Sequence, residues 1–439
     1  MLITIIKIID EPMGRGKTNA AIKYLKIHGQ NDKIVYATPF LNEIQRILSK
    51  CSFCQEPKLV SSDGKKGSFL WLAEREHTIA TTHALLADRL GRTDLTKFKE
   101  FNYKTLILDE TLQAFDCSEE NLTDLKAIVA AGHIEINNDG LLTFNNYDGN
   151  LLRKNSQLNN KNVYLAADLN NYKSKSIPLI TSLLPELWDC FEEVLILTYR
   201  FVHSDLRIYF DINNMTYEYW HLEEGQFVEG QRSETFKIPP INIYEGKLND
   251  VGNHKNALSL SWYKKNITKL SILKNNTNNY IRNIKKAKNN NACWTTFADY
   301  EKKIKGKGYT KGFLACNARA TNVFQDRNVV AYLINRFLNP LIKQFFIGKE
   351  INFDEDQMML NEMLQFLFRT AVRKNEPISL YCPSLRMRTL LKAFIEENKT
   401  LEGDTRSNVA LTSSDISLPQ ILINQNSRRF THEIIKHTH

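Results

Sequence analysis

The chain has 439 residues, of which 42% are hydrophobic and 24% are charged, and its formal net charge is +9. This composition suits a globular chain of two or three domains with large buried cores. No run approaches the ~18 to 20 apolar residues needed to span a bilayer, so we expect no membrane partner. The basic balance favours a polyanionic partner. Seven scattered cysteines fit reduced thiols in a cytoplasm.

Short apolar runs alternate with helical patterns over the first 200 residues. This alternation predicts a parallel α/β sheet, in which ligands bind at the carboxyl ends of the strands. The predicted strands cover residues 2–9, 34–37, 78–81, 105–108, 163–166 and 193–197.

The second half begins with two predicted antiparallel strands at 207–211 and 216–221. A basic, Asn-rich stretch follows, with thirteen Lys or Arg against two acids between residues 264 and 311. Such a stretch is either a solvated helical face or a nucleic-acid contact surface. A second α/β pattern then predicts strands at 292–297 and 378–381 and helices at 329–337, 357–372 and 387–396.

A glycine-rich loop follows the first predicted strand and precedes a helical pattern. It reads Gly14, Arg15, Gly16, Lys17, Thr18. Glycines let backbone N–H groups close around phosphates, while the lysine reaches the outer phosphates and the threonine hydroxyl can bind Mg²⁺. The longer common pattern has a glycine where this chain has Glu11, and a short match of this kind also occurs in surface loops.

Two adjacent carboxylates end the predicted strand at 105–108. A nucleotide hydrolase needs one carboxylate beside Mg²⁺ and another to deprotonate the attacking water. Asp109 suits the first role and Glu110 the second. Strands often end in acidic turns, but the pairing with the glycine loop favours a nucleotide-phosphate hydrolase.

Short polar side chains follow two further strands. They are Thr38 with Pro39, and Thr81 with Thr82 and His83. Such groups can hold a phosphate backbone without reading bases, although each set could equally form a turn or a helix cap.

Gln365, Arg369 and Arg373 are spaced four apart within the predicted helix at 357–372 and its end. On a helix the three side chains would share one face. The glutamine could contact a nucleotide and the arginines could stabilise a transferring phosphoryl group. The alternative is an amphipathic helix with a cationic stripe.

In this order, the motifs resemble those of a superfamily 2 helicase of the DEAD/DEAH-like type, most similar to phage-encoded members. Residues 14–18 match motif I, Thr38 and Pro39 motif Ia, residues 81–83 motif Ib, and Asp109 with Glu110 motif II. Ala166, Ala167 and Asp168 would be motif III, although they lack its usual hydroxyls. Residues 317–322 would be motif V and residues 365–373 motif VI.

The resemblance implies two RecA-like P-loop NTPase domains with ATP and Mg²⁺ between them. A small β-containing insertion would separate them. Catalysis would involve Lys17, Glu110, Arg369 and Arg373, and Thr18 and Asp109 would hold the metal. Nucleotide contacts would come from residues 14–18, Asn19 and Gln365. Nucleic acid would contact Thr38, Pro39, Thr81, Thr82, His83, Asn317 and Arg319.

We therefore expect a first domain over 1–205, a connecting region over 206–290, a second domain over 291–398 and a polar tail over 399–439. The expected function is an ATP-dependent helicase or translocase in phage replication or recombination. DNA is favoured over RNA as its track, with replication or recombination proteins as further partners in the host cytoplasm. The alternatives are an RNA helicase, a nucleic-acid-stimulated ATPase that clamps without unwinding, and an inactive binding module.

Overall fold

The computed structural model describes residues 4–59, 64–144, 160–231, 238–316 and 323–407. Of the expected tail at 399–439, the residues from 408 onward therefore lie outside the described residues. The strands of the described chain are β1 (Ile5–Asp10), β2 (Ile34–Thr38), β3 (Ile79–Thr82), β4 (Tyr103–Asp109), β5 (Phe115–Asn121), β6 (Ile134–Ile136), β7 (Leu142–Phe144), β8 (Asn162–Leu165), β9 (Ser176–Ser182), β10 (Phe191–Thr198), β11 (Glu218–Glu223), β12 (Gln226–Glu229), β13 (Ile241–Ile243), β14 (Ala292–Thr295), β15 (Val329–Tyr332) and β16 (Ile378–Tyr381).

The α-helices of the same ranges lie mostly between these strands. They are α1 (Lys17–His28), α2 (Leu41–Lys50), α3 (Gly64–Glu74), α4 (His83–Asp88), α5 (Arg92–Lys99), α6 (Leu122–Ala130), α7 (Asp205–Ile212), α8 (Leu260–Lys265), α9 (Lys269–Asn278), α10 (Glu301–Ile304), α11 (Pro340–Gly348), α12 (Glu355–Leu367) and α13 (Leu385–Ser407). None of these helices is long and apolar enough to cross a membrane.

Two parallel sheets form the framework. The first has the order β12-β11-β1-β10-β4-β2-β3, and only its edge pair β11–β12 is antiparallel. The second has the order β13-β16-β15-β14, with every pair parallel. Because parallel sheets are covered on both faces, their strands are nearly continuous apolar runs. The predicted α/β fold, with parallel sheets and flanking helices, is confirmed.

The expected connecting region divides between the two sheets. Strands β11 and β12 extend the first sheet beside β1, and β13 pairs with β16 in the second. The strand predicted at 207–211 is wrong, because these residues lie in α7. The Ser204 hydroxyl accepts a hydrogen bond from the Arg207 backbone N–H at 3.1 Å and caps this helix, which buries Leu206, Tyr209 and Phe210 on one face.

The helix predicted at 329–337 is wrong throughout, because residues 329–332 form β15 and residues 333–337 are not helical. This strand lies between β14 and β16, and all four of its residues are buried. A short, continuous apolar run has the same sequence pattern in a fully covered strand and in a buried helix. The prediction failed because periodicity cannot separate the two.

An additional layer is inserted between β4 and β10. It contains the antiparallel sheet β5-β9-β8, the hairpin β6–β7 and helix α6. The strand predicted at 163–166 exists as β8, but it belongs to this sheet and not to the large parallel one.

Helix α11 joins the second domain to this inserted layer through aromatic packing. The Phe346 ring lies 5.0 Å from that of Phe115 in an edge-on arrangement, and the Phe345 ring lies 5.0 Å from that of Tyr164. Edge-on aromatic pairs add to the free energy gained by burying their area. The interface therefore depends on the apolar face of α11.

Phe346→Ala should lower the free energy of unfolding by about 3–5 kcal/mol, because it opens a cavity at this fully buried position. Ile347→Ala on the same helix is the matched control. Its side chain is 58% exposed, so its effect should stay below about 0.5 kcal/mol. Urea unfolding measures both values, and equal losses in the two variants would contradict the packing described.

His203 makes the fold sensitive to acid. Burial, with Arg200 nearby, lowers the pKa of His203 from 6.5 to about 4. Below pH 6.5 the His203 imidazole is protonated in the unfolded chain but stays neutral in the folded chain until the pH approaches 4. The free energy of unfolding therefore falls as the pH drops from 6.5 towards 4.

Between pH 7 and pH 5, His203→Gln should lose less stability than the wild type. The difference should be on the order of 1 kcal/mol, a value reduced because the side chain is partly exposed. Urea unfolding at the two pH values measures it. If both proteins lost the same free energy of unfolding between pH 7 and pH 5, His203 would not be the source of the acid sensitivity.

Candidate active site

Three neighbouring strands, β1, β10 and β4, end at the same edge of the first sheet. Asp10 is in register with Thr198, and Leu197 with Asp109. Beyond the strands, the Glu11 N–H donates to the Thr198 carbonyl and the Glu110 N–H to the Leu197 carbonyl, both at 3.0 Å. The glycine loop and the acidic pair, 91 residues apart in sequence, therefore begin side by side.

The loop needs its two glycines for backbone conformation. Gly14 has φ +85° and Gly16 has φ +91°, values that side-chain-bearing residues rarely adopt. Helix α1 starts directly after Gly16, which supplies no side-chain cap. A glycine loop that leads into a helix N-terminus suits an anion, because the first helical N–H groups lack intrahelical acceptors.

Glu11 explains why the motif is the short form. Its side chain is fully buried, and its Oε1 accepts a hydrogen bond at 3.0 Å from the backbone N–H of Leu222 on β11. The residue therefore ties the loop to the neighbouring strand, a role that glycine could not fill.

Lys17 lies among carboxylates at the start of α1. Its ammonium donates to the Glu11 carbonyl and, at 3.1 Å, to that of Pro12. Burial lowers the pKa of Lys17, and the charges of Glu110, Asp10 and Asp109 oppose that shift. The site thus combines one partly buried cation with several acids.

Thr18 and Asp109 make direct contact. The Thr18 hydroxyl donates to the Asp109 carboxylate at 3.2 Å from Oδ2 and 3.4 Å from Oδ1. Burial raises the pKa of Asp109 to about 6, while a 2.7 Å hydrogen bond from the Tyr36 hydroxyl opposes the rise. An alcohol beside a carboxylate is a set of hard oxygen ligands of the kind Mg²⁺ prefers, so these residues fit that metal.

Glu110 follows Asp109 in a strained conformation. Its φ of +80° is unusual for a residue with a side chain. Such outliers persist where the surrounding structure fixes them, often at functional sites. The Glu110 charge is also the largest of the influences that oppose the lowering of the Lys17 pKa by burial.

The second domain meets the glycine loop directly. A Cβ atom placed on Gly14 would lie 3.5 Å from the carbonyl oxygen of Arg373. Arg373 belongs to a single 3₁₀ turn, Ala371–Lys374, just before β16. The two lobes are thus in contact at the predicted phosphate site.

The predicted helical alignment of Gln365, Arg369 and Arg373 is wrong. Helix α12 ends at Leu367, so of the three only Gln365 lies on this helix, and Arg373 lies in the separate 3₁₀ turn. The Thr370 hydroxyl donates to the Leu367 carbonyl at 2.6 Å, and the chain then turns away. Arg369 is buried and its Nε donates to the Gln365 carbonyl at 3.1 Å, which leaves Arg373 as the arginine beside the loop.

The residues predicted for nucleic-acid contact divide by burial. Thr38, Thr81 and His83 are buried, with 0%, 2% and 9% of their surface exposed, so contact of these residues with nucleic acid stays a prediction that their burial does not favour. Both strands are covered on two faces. Pro39 and His83 line a cavity of ≈ 370 Å³, and the Thr82 hydroxyl caps α4 by accepting from the Leu85 N–H at 3.3 Å.

The remaining predicted residues are either exposed beside the glycine loop or outside the described residues. Arg15 is exposed, and the Asn19 side-chain oxygen accepts from Arg46 at 2.6 Å. Asn317 and Arg319 fall outside the described residues, as does the rest of the proposed motif V.

Ala166, Ala167 and Asp168 do not occupy the place expected for motif III. They follow β8 in the inserted antiparallel sheet, whereas the strand between β1 and β4 is β10. Sequence order suggested the wrong strand because the inserted layer supplies an apolar run of its own.

The end of β10 supplies residues that the sequence analysis missed. The Asp10 carboxylate accepts from the backbone N–H groups of Arg200 at 2.6 Å and Phe201 at 2.9 Å. The Arg200 side chain crosses to the second domain, where it donates to Gln357 and lies 5.1 Å from the Phe394 ring centre. The available signal was a polar Thr-Tyr-Arg run after buried residues 194–197.

This arrangement defines a two-lobed α/β protein with a phosphate-type loop at the contact between the lobes. Compared with known proteins, the chain is 34% identical over 409 residues to the SPbeta prophage-derived protein YonV of Bacillus subtilis strain 168. The alignment spans 90% of this chain and 99% of YonV. The chain therefore belongs to the YonV family. Residues 237–395 also match the family model described as the YonV C-terminal Rossmann-like domain.

Solved helicase structures are more distant. Apo XPD is 10% identical with a TM-score of 0.43, covering 89% of this chain and 95% of XPD. Xpd4 of S. tokodaii is also 10% identical, with a TM-score of 0.42 over 90% of this chain and 95% of Xpd4. With TM-scores below 0.5, these similarities establish neither activity nor substrate for this chain.

Tyr36→Phe should weaken Mg²⁺-dependent nucleotide binding by about tenfold, because it removes the hydroxyl that orients Asp109 and restrains its pKa. Titration of a fluorescent ATP analogue at varied Mg²⁺ measures the effect. Tyr24→Phe is the control, since that hydroxyl donates to Glu193. Equal Mg²⁺ dependence in the two variants would contradict the role given to Tyr36.

Proposed function

We propose that this protein is an ATP-dependent nucleic-acid helicase or translocase that couples ATP hydrolysis to movement along a strand. The observation that carries the proposal is the cluster of Lys17, Thr18, Asp109 and Glu110, closed on one side by the turn that contains Arg373. Hydrolysis at a contact between two lobes can change their separation, which is how such a site drives movement.

Each residue of this cluster would have a separate role in ATP hydrolysis. Gly14, Gly16 and Lys17 would cradle the phosphates, and Thr18 and Asp109 would hold Mg²⁺. Bound Mg²⁺ neutralises charge that develops on the phosphates. Glu110 would accept the proton of the attacking water.

Arg373 is the better placed of the two predicted arginines to stabilise the transferring phosphoryl group, because its backbone adjoins Gly14. Arg369, buried against the Gln365 carbonyl, would hold the turn in position. Gln365 itself would approach the nucleotide from the end of α12.

The nucleic-acid strand would follow the edge at which β2 and β3 end, where Pro39 and Thr82 are partly exposed, while His83 is buried beside the Ala37 carbonyl at 3.2 Å. Asn317 and Arg319 remain predicted nucleic-acid contacts on the strength of the motif V resemblance. If the protein contacts only the phosphate backbone of the nucleic acid, its binding should have weak sequence preference and strong salt dependence. DNA is the favoured track, and the prophage origin of YonV supports a role in phage replication or recombination in the host cytoplasm.

A second candidate is a nucleic-acid-stimulated ATPase that clamps without unwinding. The aromatic contact between α11 and the inserted layer favours it, because domain separation would expose Phe346, which is fully buried. The Lys349–Asp139 ion pair at 3.3 Å lies on the same interface.

Lys17→Ala and Glu110→Gln should each reduce ATP hydrolysis at least about 100-fold, by removing phosphate charge stabilisation and the general base respectively. Phosphate release with and without nucleic acid measures this. Lys23→Ala, an exposed lysine on the same α1, should keep wild-type turnover. Wild-type hydrolysis in either site variant would remove that residue from its role.

Strand displacement on matched DNA and RNA forks separates the candidates. A helicase displaces the strand only with ATP, and the preferred fork identifies its track. Stimulated hydrolysis without displacement would exclude unwinding and favour the clamp.

A further inference from the structure

The positive charge of this protein is concentrated in one segment. Residues 264–311 contain thirteen of the 58 lysines and arginines but only two of the 49 acidic residues. The rest of the chain therefore has a slight excess of acids. Natural surfaces usually intersperse the two signs, so a one-sided field of this size indicates a polyanionic partner.

The segment folds so that its cations point away from a shared core. Helices α8, α9 and α10 and the π-helical turn Asn279–Ile284 pack against β14 through buried residues that include Leu273, Tyr280 and Ile304. The Tyr309 hydroxyl lies within hydrogen-bond distance of the Ile304 and Lys274 carbonyls, at 2.6 and 3.3 Å. Apolar residues face inward, so the intervening lysines remain on the surface.

The exposed cations of this segment, called here the basic face, lie on several adjoining elements. Arg282 links two of them, since its Nη1 donates to the Ala287 carbonyl at 3.1 Å. Its side chain also contacts the backbone near Gly308. The members of the basic face are Lys264, Lys265, Lys269, Arg282, Lys285, Lys286, Lys288, Lys302, Lys303, Lys305, Lys307 and Lys311.

These cations are hardly neutralised by the protein. Among the described residues, one ion pair involves the basic face. It joins Lys305 to Glu301 at 3.9 Å and is long and exposed to solvent. Acids three or four residues from a lysine are the usual partners on a solvated helical face. In this segment Asp299 and Glu301 have that spacing, and only from Lys302, Lys303 and Lys305.

The basic face is also separate from the candidate active site. Alternate residues of the second sheet point to its two faces. Cys293, Val330 and Leu380 join the core shared with the first domain, whereas Trp294 and Ala331 join the core beneath the basic face. The basic face therefore lies on the side of the second sheet that is turned away from the first domain.

We propose that the basic face is a second nucleic-acid-binding surface, which holds the phosphate backbone of a strand or duplex outside the ATP-dependent track. Exposed lysines bind phosphates as point charges and release counterions, so this binding is independent of sequence and sensitive to salt. It requires neither ATP nor contact between the two lobes.

The test compares two triple charge reversals in the full chain. Lys285→Glu, Lys286→Glu and Lys288→Glu change the basic face. Lys26→Glu, Lys50→Glu and Lys173→Glu make the same charge change at exposed lysines elsewhere. Fluorescence anisotropy without nucleotide measures affinity for single-stranded DNA, duplex DNA and RNA between about 50 and 200 mM salt.

The basic-face triple should bind at least about tenfold more weakly at the lowest salt. Its slope of log K against log salt should be shallower by about 2–3, the value for loss of three phosphate contacts. The control triple should stay within about twofold of the wild type. The arm with the largest loss identifies the nucleic acid, and equal behaviour of the two triples in every arm overturns the proposal.

The result is distinguishable from failure of the proposed hydrolysis. The binding assay contains no ATP, so a protein that never hydrolyses ATP still gives a valid answer. Hydrolysis by the basic-face triple in the absence of nucleic acid should match that of the wild type.

Discussion

The parallel pairing of β1, β10 and β4 is the constraint on which the candidate site depends. Its register places the glycine loop and the acidic pair at one edge, and the Thr18–Asp109 hydrogen bond follows from that placement. A one-residue slip would turn alternate side chains to the wrong face. The buried apolar strands thus fix the register, and the register fixes the chemistry.

The second sheet has a different use on each face. One face joins the core shared with the first domain, and the turn before β16 brings Arg373 to Gly14. The other face supports the helices that carry the basic surface. The inserted layer between β4 and β10 adds the aromatic contact with α11, so nucleotide chemistry, domain contact and surface charge lie on distinct parts of one framework.

Local patterns predicted the site's core, and long-range pairing decided the rest. The glycine loop and Asp109 could be identified because phosphate and metal binding need particular residues at short spacing. The place of β10 beside β1 could not be deduced, since an inserted layer offered β8 as a competing strand. The end of α12 depends on the Thr370 hydroxyl. The burial of Thr38 and Thr81 depends on how the layers pack. The spacing of residues in the sequence reveals neither of these.

A crystal structure with Mg²⁺ and a non-hydrolysable ATP analogue tests the central claim most directly. The account predicts phosphates in the loop of residues 14–18 and a metal held about 2.1 Å from the Thr18 hydroxyl oxygen, with Asp109 binding it directly or through one water. An analogue bound away from that loop, or a metal that contacts neither residue, would contradict the account.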